Sequence, residues 1–318
     1  MCTAVAYRPH NFYFGRTLDY EFLYPCDVTF APRGFPFWGL PQKHYGMLGM
    51  ASVTDGYPLF FDGVNEKGLC MAGLNFVGNA VYRKAGDGSG VASFNFIPYI
   101  LGRCESVKEA KRLLKDINIT DEVFKEGLSA SQLHWMVADK EETAVIESVP
   151  SGLKVYTNPA DVLTNNPPFE YQLQTLKGFS HLSPKQAECQ QTDRGFSMYT
   201  RGTGALGIPG DFTSESRFVR AAFLTKHAHS CEGEEAGINQ LFHILSGVSV
   251  PEGCCITEDG KHNKTQYTSC IDASRGVYCW KGYGSFGVSA VDMRKEDMNS
   301  RELARYPFGI SVPLININ

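Results

Sequence analysis

The chain has 318 residues, 43% hydrophobic and 20% charged, with a formal net charge of −4. That length can bury a sizeable core, and the weak acidic balance excludes a nucleic-acid partner, which would need a basic face. No run approaches the roughly 20 apolar residues that span a bilayer, so no membrane partner is expected. The first residues lack the basic-then-apolar order of a secretory signal, so a cytoplasmic location is expected.

In chain order, residues 2–7 and 11–16 read as two strands joined by the turn Arg8-Pro-His10. Tyr57-Pro-Leu-Phe-Phe-Asp62 and Leu69-Cys-Met-Ala-Gly-Leu-Asn-Phe76 flank the polar turn Asn65-Glu-Lys-Gly68, a hairpin signal. Gly86–Gly90 is a surface turn. Ser106-Val-Lys-Glu109 is a capping box that opens a helix through Leu113 and Leu114. His134–Asp139, Thr143–Ser148 and Leu153–Tyr156 form a meander. Residues Ser216 to His229 and Glu234 to Leu245 carry apolar residues at helical spacing. Gln266–Ile271, Val277–Trp280 and Phe286–Met293 return to strands. Strand runs bracketed by helix runs predict a layered α+β protein. No repeat, low-complexity stretch or linker interrupts the chain, so residues 1–318 are expected to form one domain. The ten cysteines have no framework spacing and no Cys-x-x-Cys, so most are read as small buried apolar residues of a reducing compartment.

Cys2 is the sharpest chemical feature. A small residue after the initiator Met permits removal of Met1, which would leave a thiol and a free α-amine on one residue. The thiol attacks a carbonyl and the amine serves as general base, with no histidine required. The bland alternative is an ordinary cysteine in a first strand. A return strand of the predicted length carries Arg16 and Asp19 back toward that terminus, setting a cation beside the sulfur and an acceptor beside the amine. The competing reading is an Arg–Asp pair that ties two strands together.

Several segments together resemble the choloylglycine hydrolases, the family of bile salt hydrolases and penicillin V acylases. They are Met-Cys-Thr at the start, Phe14-Gly-Arg-Thr-Leu-Asp19, Asn65-Glu-Lys-Gly-Leu69, Ala72-Gly-Leu-Asn-Phe76, Val162-Leu-Thr-Asn-Asn-Pro167, Gly207-Ile-Pro-Gly-Asp-Phe212 and Ser216-Arg-Phe-Val-Arg220. Each alone is weak, but they keep the family order from residue 2 to about residue 293. The resemblance implies the four-layer αββα sandwich of N-terminal-nucleophile hydrolases and hydrolysis of conjugated bile salts, with no cofactor and no metal. It implies that Cys2 is the nucleophile, that Arg16 contacts thiol and substrate, and that Asp19 orients the α-amine. Asn165 becomes the oxyanion-hole asparagine. Asn75 completes the hole through its backbone N–H and faces the leaving amino acid, and Arg217 is a further active-site arginine. Without the resemblance Asn165 reads as a turn residue before Asn166-Pro167. Arg217 reads as a first-turn arginine, poorly matched to the helix dipole unless an anion sits near it.

Asn75 favours bile salts over penicillin V, where the family tends to carry tyrosine. The resemblance places Leu18, Tyr24, Thr54, Val123 and Phe124 around the steroid, although Leu18 and Phe124 also suit ordinary core. Tyr199-Thr-Arg-Gly-Thr-Gly204 is similar to a selectivity loop associated with taurine conjugates, which makes Arg201 the candidate partner of a sulfonate; Thr200 departs from the serine of that pattern. A Gln186–Thr213 excursion resembles the region that interlocks subunits, so a homotetramer is expected. The alternatives are a penicillin V or other N-acyl amidase, and a non-catalytic steroid-binding protein on the same scaffold. His227-Ala-His229 is discounted as a metal site, because i and i+2 do not share a helix face.

Overall fold

The computed structural model describes the chain except residues 87–89, 190–191, 198–199, 230–231, 234, 310–315 and 318. Two antiparallel sheets stack face to face with helices on both outer sides, an αββα sandwich. The first sheet contains β1 (Cys2–Tyr7), β2 (Tyr13–Tyr20), β13 (Val162–Leu163), β14 (Lys264–Asp272), β15 (Val277–Gly282) and β16 (Ser289–Asp292), in the order β13-β1-β2-β14-β15-β16. The second contains β3 (Asp27–Ala31), β4 (Met47–Thr54), β5 (Tyr57–Phe60), β6 (Asp62–Asn65) and β7 (Cys70–Asn75). It continues with β10 (Leu133–Ala138), β11 (Thr143–Val149), β12 (Gly152–Thr157) and β17 (Ala304–Pro307). Its order is β12-β11-β10-β7-β6-β4-β3-β17, with β5 paired to β4. A short parallel pair, β8 (Gly90–Ala92) and β9 (Asn118–Thr120), stands apart.

Helices α3 (Phe169–Gly178), α4 (Ser214–His227) and α5 (Ala236–Ser246) cover the first sheet. Helices α1 (Phe96–Arg103) and α2 (Val107–Leu113) cover the second. One core fills the space between the sheets and beneath α4 and α5, through Val5, Phe14, Leu48, Leu74, Met136, Phe218 and Leu245. The other lies beneath α1 and α2, through Met71, Phe96, Ile100, Val107 and Trp135. A central strand closed on both faces has no exposed side, which is why Cys-Thr-Ala-Val-Ala-Tyr shows no polar alternation: all six residues of β1 are buried. The edge strand β12 holds three exposed residues among its six, Lys154, Val155 and Thr157, and none that is fully buried.

The meander, the capping box and the first hairpin form as the sequence predicts. Ser106 accepts from Glu109 N at 3.3 Å, and the Glu109 carboxylate reaches back to Glu105 N at 2.8 Å. The expected 57–62 strand is instead two elements. Residues 57–60 pair with β4, and the hairpin across Asn65–Gly68 is β6 with β7. Asn65 Oδ1 accepts from Lys67 N and Leu69 N at 3.0 Å each, and Gly68 takes φ 86°, so the turn chemistry is local while the partner of residues 57–60 is not. Strand β2 runs on to Tyr20, beyond the expected 16, because it is paired on both sides, by β1 and by β14.

Among the described residues nine cysteines are free, and Cys2, Cys70, Cys104, Cys270 and Cys279 are buried. No described helix is long and apolar enough to cross a membrane.

Candidate active site

Cys2 opens β1, opposite Leu18 on β2, and Arg16 stands opposite Ala4. The ladder continues one step past the strand: Asp19 N donates to Met1 O at 2.9 Å, and the Met1 amine donates to Asp19 O at 2.6 Å. The β1–β2 hairpin therefore returns Asp19 to the very start of the chain.

Asn165 follows β13, the strand on the other side of β1. Its Oδ1 accepts from Cys2 N at 2.7 Å and from Arg217 Nη2 at 2.8 Å, and its Nδ2 donates to Asn75 O at 2.9 Å. Two donors on one atom and an acceptor on the other fix the orientation of the amide. One Nδ2 hydrogen is left over. Asn75 ends β7, where backbone polar groups of alternate residues share a side. Gly73 turns its N–H to Phe61 O at 3.0 Å and its carbonyl to Arg16 Nη1 at 2.8 Å. Asn75, two residues on, turns its N–H and C=O the same way, and the carbonyl meets Asn165. The spare hydrogen of Asn165 and the Asn75 N–H are donors of the kind a tetrahedral oxyanion needs.

Arg217 lies in the first turn of α4 and is fully buried. Its Nη1 donates to Cys2 O at 2.5 Å and Thr3 Oγ1 at 2.7 Å, and its Nε to Phe212 O at 3.1 Å. Asp19 Oδ2 stands 3.9 Å away, which is the anionic partner the dipole argument asks for. Burial lowers the Arg217 pKa, while Asp19, Cys2 and Cys255 pull it up. The Asp19 carboxylate itself is held by Thr265 Oγ1 at 2.7 Å and Thr17 Oγ1 at 3.3 Å. With Met1 attached, the single proton on Cys2 N goes to Asn165 rather than to that carboxylate.

Arg16 is 1% exposed. Burial works against its charge, but Cys2, Tyr267, Asp62 and Tyr278 outweigh it, and its pKa rises. Its Nη1 bonds Phe61 O at 3.2 Å besides Gly73 O, and Asp62 Oδ2 stands 4.0 Å from Nε. Asp62 takes hydroxyl bonds from Tyr267 at 2.8 Å and Tyr278 at 2.6 Å, and burial raises its pKa against the pull of Arg16. The sequence reading missed Asp62, Tyr267 and Tyr278. An Asp and two tyrosines on strands read as ordinary pattern, and only the stacking of the two sheets joins them. It also missed Thr3 and Thr265, which hold Arg217 and Asp19.

A cavity of about 310 Å³ opens on Cys2. Arg16, Leu18, Tyr24, Thr54, Asn75, Val123 and Phe124 line it, so seven further candidate residues meet there. Its wall is mostly apolar, with Leu59, Phe60, Phe61, Phe94 and Ile97. Phe124 stacks on Trp38 and Tyr57 with centroids 5.3 and 5.4 Å apart, which anchors the loop that carries Val123. Tyr24 packs against Phe22 and Phe61, at 4.7 and 5.9 Å. Arg201 is exposed and does not line this cavity, and Tyr199 of the same segment lies outside the described residues, as does most of Gly86–Gly90. A larger cleft, about 720 Å³, lies between α3 and α4 and holds none of the candidate residues. Among the described residues no group of three or more His, Cys, Asp and Glu is arranged to hold a metal ion.

A family model, linear amide C–N hydrolases of the choloylglycine hydrolase family, matches residues 2–306. The chain is 43% identical over 315 residues to the bile salt hydrolase/transferase of Lactiplantibacillus plantarum, covering 96% of this chain and 97% of that one. It is 34% identical to the Clostridium perfringens bile salt hydrolase/transferase over the full length of both. Among solved structures, a C2A variant of the conjugated bile acid hydrolase of Clostridium perfringens superposes with a TM-score of 0.91, at 34% identity and full coverage of both chains. Penicillin V acylase from Agrobacterium tumefaciens shares the fold, with a TM-score of 0.79 at 22% identity, covering 97% of this chain and 92% of that one.

Proposed function

The chain belongs to the choloylglycine hydrolase family of linear amide C–N hydrolases, and from that premise we propose that it hydrolyses the amide bond of glycine- or taurine-conjugated bile salts, with Cys2 as nucleophile. The observation that carries the reading is the bond from Cys2 N to Asn165 Oδ1 at 2.7 Å at the end of an apolar cavity. It supports the reading because it joins Cys2 to the amide of Asn165 beside a largely apolar space.

Met1 is removed first, which frees the α-amine of Cys2 between Asn165 Oδ1 and Asp19. The amine takes the thiol proton as sulfur attacks the amide carbon. The carbon–oxygen π electrons move to oxygen, which the spare Asn165 Nδ2–H and the Asn75 N–H receive. On collapse the carbon–nitrogen bond breaks, and the α-ammonium gives its proton to the leaving amine. Water then attacks the thioester, the amine takes its proton, and the sulfur–carbon bond breaks with return of that proton to sulfur. The products are a free bile acid and an amino acid, so atoms and charge balance. Arg16 and Arg217 supply fixed positive charge around the sulfur and the Cys2 carbonyl. Leu18, Tyr24, Thr54, Val123 and Phe124 hold the acyl group.

The side chain of Asn75 faces the leaving group, which favours bile salts over penicillin V. A preference for taurine rests on Arg201 as the cation for a sulfonate; comparing tauro- and glyco-conjugates with and without Arg201→Ala tests it. Assembly as a homotetramer through residues 186–213, a single domain and a cytoplasmic location complete the proposal, and light scattering checks the first. The central test is release of amino acid from conjugates by the mature chain and by Cys2→Ser. Turnover is expected only in the former, with both folded. Turnover by a chain that still carries Met1 would overturn the scheme.

A further inference from the structure

Two polar atoms in the wall of the cavity have no partner among the described residues. Ser93 is 3% exposed and its hydroxyl makes no hydrogen bond; Trp135 is fully buried and its indole N–H has no acceptor. Both residues line the cavity that holds Cys2. Leaving one such group unpaired costs roughly 1–3 kcal/mol, and each orphan in a native chain calls for an explanation.

The local structure puts the two at one end. Trp135 lies on β10 opposite Gly73 of β7. A Cβ added at Gly73 would sit 3.3 Å from Trp135 Nε1 and 3.4 Å from its Cδ1. Gly73 lines the cavity too, so no side chain from that position of β7 stands between the indole edge and the cavity. Ser93 opens the turn that leads into α1, and Ile97, one helical turn later, lines the same cavity. Between them Phe96 packs edge-on against Trp135, with centroids 4.6 Å apart. The start of α1 therefore brings Ser93 to the indole side of the cavity, amid Phe94, Ile97 and Leu133. An apolar wall with two unpartnered polar groups is a binding surface for a ligand that is mostly apolar and carries an isolated polar atom.

We propose that Ser93 and Trp135 read a ring hydroxyl on the acyl part of the substrate. The indole can only donate, so it gives its N–H to the hydroxyl oxygen. The serine hydroxyl can donate or accept, so its oxygen accepts the hydrogen bond that this hydroxyl donates. The ligand class is an amide of a hydroxylated alicyclic acid, as distinct from a bare hydrocarbon acyl group. This rests on the reading of the substrate as a bile salt conjugate and deepens it. The two residues determine specificity and touch no reacting atom.

The test is the ratio of kcat/KM for two conjugates of the same amino acid whose steroid acids differ only in having or lacking ring hydroxyls. It is measured for the wild-type chain, Ser93→Ala and Trp135→Phe. The wild-type ratio favours the hydroxylated conjugate. Each variant lowers the ratio about tenfold, through KM rather than kcat, as the loss of one hydrogen bond in a closed site predicts. Ratios that stay within twofold in both variants overturn the inference and leave water as the only partner of these atoms. A short N-acyl amide separates the two levels of the argument. If the wild-type chain cleaves it but no steroid conjugate, the proposed function fails. If steroid conjugates are cleaved with ratios insensitive to both variants, only this inference fails. Should Trp135→Phe not fold, Ser93→Ala, which deletes one oxygen, decides alone.

Discussion

The two ends of the cavity are built on opposite plans. Around Cys2, Arg16, Arg217, Asn165 and Asp19 are nine-tenths or more buried and every one of them is tied to named partners on strands or on α4. Around the acyl end, Tyr24 and Val123 are exposed, Phe124 rests on an aromatic cluster, and Ser93 and Trp135 hold unspent hydrogen-bonding capacity. Preorganised donors stabilise developing charge because they do not have to reorganise. An apolar wall on loops can vary without disturbing them. The lesson is a division between a fully tied polar cluster around Cys2 and a mostly apolar wall that keeps hydrogen-bonding capacity in reserve.

That contrast can be broken by experiment. The largest effect belongs to Cys2→Ala, which is expected to lower kcat by on the order of 10⁴-fold or more, as loss of a nucleophile does elsewhere; unchanged circular dichroism shows that the fold stays. Asn165→Ala follows. It deletes the proposed oxyanion donor and the acceptor of Cys2 N, so kcat should fall on the order of 10²–10³-fold with little change in KM. A loss confined to KM would move Asn165 to the binding end. Third comes the brace behind Asn165. His134 sits between Glu147 Oε1 at 3.0 Å and Thr164 O at 2.9 Å, both side chains fully buried, and Glu147 also takes Phe169 N at 3.0 Å. Glu147→Ala strands the histidine and should cost about 3 kcal/mol in denaturant unfolding.

The smaller effects are in pH. Burial raises the Asp62 pKa, so between the ordinary carboxylate pKa and that raised value the folded chain holds a proton the unfolded chain has lost. Its contribution to stability is full below the window and is lost as pH rises through it. Asp62→Asn should remove that slope from unfolding midpoints measured from acid to neutral pH. Asp211 behaves oppositely. Bonds from the Ser216 hydroxyl and from the Thr213 hydroxyl and N–H hold it down to about 2. Its stabilisation of the start of α4 is present above the ordinary carboxylate pKa and fades as pH falls toward 2. Because the group is exposed, Asp211→Asn should cost less than about 1 kcal/mol.

Much of the arrangement around Cys2 was legible in the sequence, because β1 and β2 are adjacent in the chain and their register follows from one turn. Asn165 and Arg217 were legible only through resemblance. As isolated residues they looked like a turn and a solvated helix start, and what gives them meaning is pairing with residues more than 160 and 210 positions away. Helix α1 escaped notice because Phe96–Gly102 is buried all round and shows no polar face to mark a period. With it went Ser93. The partner of residues 57–60 was misassigned for a related reason: the turn at Asn65–Gly68 fixes one strand pair, and nothing local says where the preceding segment goes.

Strand β1 leaves the ribosome well before its partners: one neighbour in its sheet comes from residues 162–163, and the strand that flanks β2 comes from 264–272. At about 5–20 residues per second, the last of these emerges on the order of 15–50 s after the first. During that interval the sheet lacks its later strands, and the proposed scheme has an aminopeptidase act on Met1 before they arrive. On the proposed scheme the order of strands doubles as a timer, giving maturation a head start over closure.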